Sequence, residues 1–381
     1  MTKLAEILSA GIKQRGPATF NRFMEMALYH PQYGYYSSNR LKIGGRGDFY
    51  TAPTVSPLFG AMVARQLAEM WRLAGAPGYW TLVEYGPGTG KLAGDIMDAV
   101  LREHPALYRA VNYHLVEISP GLEEQQRRQL ANHQTAVKFH WSQNLSDISP
   151  DGLDGCILAN ELVDAFPVHL VRQNRGALRE LYVDTDGENS FHLVEGPLST
   201  PELKEYFVMQ NINLAEGQRA EVNLKAAAWL AGVAAHLRRG YVMVIDYGAT
   251  ADSLYGRHRF NGTLRCFHRH RLVDDPLVNV GGQDITAHVN FTALAMQGEK
   301  AGLQTLGLVS QPQFLLNLGI MDTLKEHNDF TYSPARQKKT MAIKQLVLPG
   351  GMGDIFKVLI WAGGMGPPAL TGLTGPVKKG D

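Results

Sequence analysis

A doubly wound α/β fold around a parallel sheet is predicted by three observations. From Trp80 onward, short apolar strands alternate with amphipathic helices; the first strand runs into a turn with glycines at alternate positions; and that turn opens directly into a helix. In chain order, Met1 to Ala10 reads as an amphipathic helix with Leu4, Ile7 and Leu8 on one side. Residues from Gly16 to about Tyr50, rich in aromatics and glycine, read as a structured loop, and Pro57 to Leu73 as a helix delivering the chain to the central fold. Strands are expected at Trp80–Glu84, Tyr113–Glu117, Ala136–Trp141 and Gly155–Ala159, with helices at Lys91–His104 and Gly121–Asn132 between them. Short, polar-punctuated strand candidates over Val168 to about Glu221 break this rhythm and read as an inserted antiparallel element. A helix Val222–Arg238 and a strand Tyr241–Asp246 then resume it. After Tyr247-Gly248 the signal is loop-like until a helix at Phe291–Ala301, and the end from Gly350 is glycine- and proline-rich.

Composition excludes several classes of function. The 37 Lys and Arg balance 36 Asp and Glu and are dispersed, which disfavours a basic nucleic-acid face. No run approaches the roughly 18 uncharged apolar residues of a membrane span. The two cysteines, Cys156 and Cys266, support neither a disulfide framework nor a zinc site, and His268 and His270 have no convincing partner ligands, so no metal is expected. The N-terminal stretch has neither a secretory nor a transit-peptide pattern, and a cytoplasmic protein is expected.

The stretch Glu84-Tyr85-Gly86-Pro87-Gly88-Thr89-Gly90 is built to bring backbone amides close to a ligand, because glycine has no Cβ to block approach. Gly86, Gly88 and Gly90 form G-x-G-x-G, whereas the dinucleotide fingerprint needs G-x-G-x-x-G and has Lys91 in its last place here. Glu84, an acid before the first glycine, suits the cationic sulfonium and amine of S-adenosylmethionine. Glu117, ending the next strand, stands where an acid accepts hydrogen bonds from both ribose hydroxyls. The bland alternative is a strand-to-helix corner without a ligand, and the joint pattern favours the cofactor. Asn144 and Leu145 occupy the turn that would reach the adenine ring, with a helix cap by Asn144 as the competing reading.

The segment after the fourth strand, Asn160-Glu161-Leu162-Val163-Asp164-Ala165-Phe166-Pro167, concentrates two carboxylates and an amide without a lysine or arginine. Open α/β sheets bind ligands outside the carboxyl ends of their strands, so Asn160 is assigned to the cofactor and Glu161 and Asp164 to the substrate. A capped helix start followed by a solvent-facing Asp164 is the alternative. Paired carboxylates suit a planar, permanently charged guanidinium, and methyl transfer needs positioning more than a strong base.

Several stretches together resemble the MidA-like family, which includes the mitochondrial complex I assembly factor with protein arginine methyltransferase activity. They are His30–Tyr36, Gly47–Pro53, the glycine turn, Asn160–Val168, Arg239–Gly248 and Gln283–Phe291. The resemblance implies a Rossmann-like, seven-stranded class I methyltransferase core carrying an N-terminal helical and loop extension and an inserted antiparallel element. The chain is expected to divide into an extension at 1–75, a cofactor-binding core at 76–250 with an insertion at about 170–221, and a part at 251–381 completing the core and substrate pocket. The resemblance further implies that Gly47–Pro53, with Thr51, folds over the cofactor, that Glu161 and Asp164 line the acceptor pocket, and that His288 stands beside it. A histidine hydrogen-bonded within the fold is the competing reading of His288. Asn290 departs from the family pattern, which has an acid there. A protein substrate bearing arginine is the leading expectation; a small-molecule acceptor and a non-catalytic assembly factor are the rivals, and a homodimer is compatible with the sequence.

Overall fold

The computed structural model describes residues 2–37, 52–133, 137–149, 151–187, 190–268, 271–324, 334–349, 353 and 355–375. The chain forms two compact units, each assembled from separated stretches: Met1–Phe49, Val163–Leu230 and Gly248–Gln297 in one, and Tyr50–Leu162, Ala231–Tyr247 and Gly298–Asp381 in the other. This division cuts across the three consecutive blocks expected from the sequence, because long-range strand pairing, not chain order, decides which segments share a core.

The second unit is built on seven strands: β1 (Trp80–Tyr85), β2 (Val111–Val116), β3 (Lys138–Ser142), β4 (Leu153–Asn160), β5 (Leu237–Ala249), β6 (Gln304–Ser310) and β7 (Phe356–Gly363). Their order is β6-β7-β5-β4-β1-β2-β3. Strands β1 to β5 pair in parallel, and β7 is antiparallel to both β5 and β6. Chain direction across the sheet therefore reverses at β1, whose neighbours are β2 on one side and β4 on the other, and such a switch point leaves a crevice beyond the strand ends. Nearly every residue of the central strands is buried, as expected for a parallel sheet covered on both faces. On one face Leu82, Tyr113, Leu115, Leu158 and Met243 join a core with Phe59, Met62, Leu67, Ile96 and Val100 of helices Pro57–Leu73 and Lys91–Glu103. The first of these helices starts on Ser56, whose hydroxyl accepts from Leu58 N, with Pro57 in the first turn where its missing N–H costs nothing.

The other unit carries an antiparallel sheet of His169–Asn174, Ala177–Thr185, Phe191–Gly196 and Arg219–Val222, joined at its edge by Ala18–Thr19. Helices Lys3–Arg15 and Phe20–Tyr29 share its core with Leu170, Leu181, Val183 and Ile285. The region from Gly16 is thus corrected from loop to helix over Phe20–Tyr29: Thr19 caps it, and Phe20, Phe23, Met24, Ala27 and Leu28 bury one helical face. Two further corrections concern the C-terminal half. Strands Arg265–His268, Arg271–Val273 and Asp284–Thr286 form a small sheet where a loop was expected, and the glycine-rich end contains β7, buried along nearly its whole length. No helix among the described residues is long and apolar enough to cross a membrane.

Phe59 is fully buried in the core of the sheet unit. Phe59→Ala is expected to lower stability by about 3–5 kcal/mol, read as a shift of the urea-unfolding midpoint at unchanged slope.

Candidate active site

The glycine turn follows β1 at the switch point of the sheet. Gly86, Gly88 and Gly90 have φ of 61°, 55° and 78°, a region that costs other residues strain. A Cβ on Gly86 would lie 2.9 Å from Leu162 Cδ1, the movable end of a side chain, so it is the left-handed backbone that favours glycine here. Gly86 N donates to Val116 O at 3.0 Å and Gly90 N to Pro87 O at 2.9 Å, which fixes both ends of the turn. Gly90 then caps helix Lys91–Glu103 without a side chain, so the first amides of the helix have no side-chain acceptor at the cap.

Glu117 follows β2 and is buried. Its Oε1 accepts from Ser119 N at 2.8 Å and its Oε2 from Gln126 Nε2 at 2.9 Å, while its own N–H donates to Ser142 O. The next residue, Ile118, was not singled out from the sequence, yet it is an aliphatic side chain 55% exposed beside this carboxylate. Asn144 occupies the cap position of the short turn Leu145–Asp147 but makes no capping bond among the described residues, and Leu145 is buried. The competing reading of Asn144 as a helix cap therefore fails.

Asn160 ends β4. Its Nδ2 donates to Glu161 Oε1 at 3.4 Å, and its Oδ1 is buried without a hydrogen-bond partner among the described residues. A buried acceptor left unsatisfied costs about 1–3 kcal/mol, so a donor supplied by a ligand would relieve it. Together with the glycine turn and Glu117 at neighbouring strand ends, this atom fits a nucleoside-bearing amino acid ligand.

Glu84 departs from expectation. Its carboxyl accepts from the Tyr113 hydroxyl at 2.6 Å and is almost wholly buried, and desolvation raises it to about 7 despite that bond. Burial thus favours the protonated form near neutral pH in a side chain that the sequence reading set beside the cationic groups of the cofactor.

Glu161 adopts φ 51°, a left-handed conformation rare for a non-glycine residue. Three contacts hold it there: its N–H donates to Ile245 O at 2.9 Å, its Oε1 accepts from Ala52 N at 3.2 Å, and Leu162 N donates to Asp246 Oδ2 at 3.2 Å. Asp246, fully buried, also accepts from Tyr247 N at 2.9 Å. It organises the acidic loop from the end of β5, and the only sequence signal for it was a carboxylate closing an apolar strand.

Asp164 and His288 belong to the other unit, so the three expected catalytic residues divide between Glu161 on one side and this pair on the other. Asp164 is buried in the short turn Val163–Ala165, not facing solvent, and its carbonyl accepts from Ala287 N at 3.0 Å. In the same unit the Tyr36 hydroxyl donates to Asp284 Oδ1 at 2.8 Å, and Tyr36 stacks on Tyr29 with centroids 5.5 Å apart. Burial first, then Asp284, with Tyr29 and Asp164 adding to it, pushes the Tyr36 hydroxyl well above its ordinary range. His288 faces the Arg259 guanidinium through Nδ1 at 3.0 Å; burial, then Arg259 and Arg265, lower it to about 4. Burial and the two guanidinium groups thus hold the ring in its neutral form at physiological pH. Asn290 caps helix Phe291–Lys300 by accepting from Ala293 N, and its Nδ2 donates to Tyr206, Gln210 and Tyr255. Thr51 lies outside the described residues. No group of three or more metal-ligating side chains occurs among the described residues.

A parallel sheet with β7 inserted antiparallel, a glycine turn at its switch point and an acid after the next strand define a class I methyltransferase that uses S-adenosylmethionine. The chain belongs to the family described as "Putative S-adenosyl-L-methionine-dependent methyltransferase", which it matches over residues 62–309. Relatives include the protein arginine methyltransferase NDUFAF7 homolog, mitochondrial, of Drosophila melanogaster, 30% identical over 93% of this chain and 84% of the relative. The human mitochondrial NDUFAF7 is likewise 30% identical, over 93% of this chain and 82% of its own length. Among solved structures, a COG1565 superfamily protein from Burkholderia thailandensis bound to S-adenosyl-homocysteine is 35% identical, covers 97% of this chain and 94% of its own, and superposes with a TM-score of 0.87.

Two measurements follow. Glu117→Ala is expected to weaken S-adenosylhomocysteine binding by about 10- to 100-fold in calorimetric titration, the loss of hydrogen bonds to a charged group. For Glu84, the unfolded carboxyl ionises near 4.5 and the folded one near 7, so the folded state retains a proton that the unfolded state has lost. Stability should fall as pH rises from about 5 and level off above about 7. Glu84→Gln should abolish this fall, a difference of about 3 kcal/mol between pH 5 and 8 in denaturant titrations.

Proposed function

We propose that the methyl acceptor is an arginine guanidinium of a protein substrate. The observation that carries this reading is the buried carboxylate and aromatic cluster in the unit holding Asp164, where Asp284 takes the Tyr36 hydroxyl, Asp164 acts on the same phenol, and Tyr29 stacks against it. A guanidinium is planar and permanently charged; it pairs with carboxylates and lies on aromatic rings, whereas a neutral hydroxyl acceptor would gain little from either. Tyr29 already bears the ammonium of Lys225, 5.5 Å above its ring. The relatives named protein arginine methyltransferase support the same reading.

In this proposal Gly86, Gly88, Gly90, Glu117 and Asn160 hold the cofactor, with Asn144, Leu145 and Ile118 toward the base. S-adenosylmethionine, when bound, supplies an electrophilic methyl group on a sulfonium. Asp164, with the aromatic cluster of its own unit, holds the guanidinium and concentrates electron density on one nitrogen, and Glu161 is the carboxylate offered at the strand ends of the sheet unit, so the residues act by orientation and charge. His288, neutral, orients rather than accepts a proton.

The test supplies purified protein with S-adenosylmethionine labelled in its methyl group, together with cell extract, and hydrolyses the products to amino acids. Label in methylarginine is expected, with Asp164→Asn lowering its formation at least about 100-fold while S-adenosylhomocysteine affinity stays within about twofold. Label confined to the small-molecule fraction would overturn the reading.

A further inference from the structure

Gln126 lies on helix Pro120–Gln129 and is completely buried, an unusual setting for a side-chain amide. Each of its polar groups is engaged. Nε2 donates to Gly88 O at 2.8 Å and to Glu117 Oε2 at 2.9 Å, and Oε1 accepts from Trp141 Nε1 at 2.9 Å. An indole N–H can only donate, so the amide oxygen must face Trp141 and both amide hydrogens must face the carbonyl and the carboxylate. The orientation is therefore dictated by chemistry. The Arg127 guanidinium lies 4.0 Å over the Trp141 ring and holds the indole in place. The backbone is fitted as closely, since a Cβ on Gly90 would meet Gln126 Cα at 3.2 Å.

One neutral side chain thus ties together the middle of the glycine turn, its last glycine and the acid after β2. We infer that Gln126 is a positioning residue for nucleoside recognition, holding one oxygen of Glu117 so that the carboxylate reads the ribose diol. This rests on the reading of Glu117 as the ribose acid. The residue type matters: a carboxylate here would repel Glu117, and an apolar side chain would leave Gly88 O, Trp141 Nε1 and Glu117 Oε2 without this donor or acceptor.

The test compares calorimetric affinities for S-adenosylhomocysteine and its 2′-deoxy counterpart. Wild type should prefer the diol by about tenfold or more, and Glu117→Ala should erase that preference. Gln126→Leu, checked for a native circular dichroism spectrum, should lose most of the same preference, and adding it to Glu117→Ala should cost no further discrimination, the signature of two residues acting as one. Gln126→Glu, nearly isosteric, keeps the proposal testable should the leucine variant not fold: its affinity should recover as pH falls and the introduced carboxyl takes up a proton, a response that packing damage would not give. Preference retained in Gln126→Leu but lost in Glu117→Ala, or pH-independent weak binding in Gln126→Glu, overturns the inference alone. No preference in wild type overturns the ribose reading of Glu117 and the inference with it.

Discussion

The reversal of strand order about β1 is the constraint from which the cofactor site follows. With β2 on one side and β4 on the other, the chain must leave β1 in a turn tight enough to enter a helix without obstructing either neighbour. Gly86 meets that requirement by adopting a left-handed backbone while its N–H bonds to Val116 O. Glu117, just after β2, and Asn160, the last residue of β4, then stand at strand ends on either side of β1, and β3 contributes Asn144 and Leu145 just beyond its own end.

Burial of carboxylates is a second theme. Glu84, Glu117, Asp246, Glu221 and Asp284 are all buried, and neutral donors serve them: the Tyr113 phenol, the Gln126 amide, the backbone amides of Leu162 and Tyr247, Thr263, and the Tyr36 phenol. Neutral donors satisfy a carboxylate without cancelling its charge, which suits a protein whose cofactor and proposed acceptor are both cationic. Where no donor compensates enough, the acid takes up a proton instead, as Glu84 does near neutrality.

Several features that the sequence had hidden were hidden for physical reasons. Strand β7 is a nearly continuous apolar run, Phe356-Lys357-Val358-Leu359-Ile360-Trp361-Ala362-Gly363, but its flanking glycines read as a loop; pairing with both β5 and β6 overrides them. The three short strands between Arg265 and Thr286 have too few residues for a period to register, and their partners lie up to about twenty residues away. Helix Phe20–Tyr29 did carry a helical pattern with a threonine cap, obscured by the aromatics and glycines that follow it. Asp246 and Gln126 could not be identified as site residues because their importance lies in hydrogen bonds reaching 84 and 38 positions along the chain.

By itself the sequence determined the alternation of β1 to β4 with their helices, the glycine turn, the acid after the second strand and the acidic loop, because each is a local pattern of period, glycine and charge. Only the tertiary structure decided which atoms those residues offer: that Glu84 turns inward to Tyr113, that Asp164 is buried, that His288 is neutral beside Arg259, and that Asn160 keeps an oxygen unsatisfied among the described residues. Burial and hydrogen-bond partners come from segments far apart in the chain, and these set protonation and orientation, which no local pattern encodes.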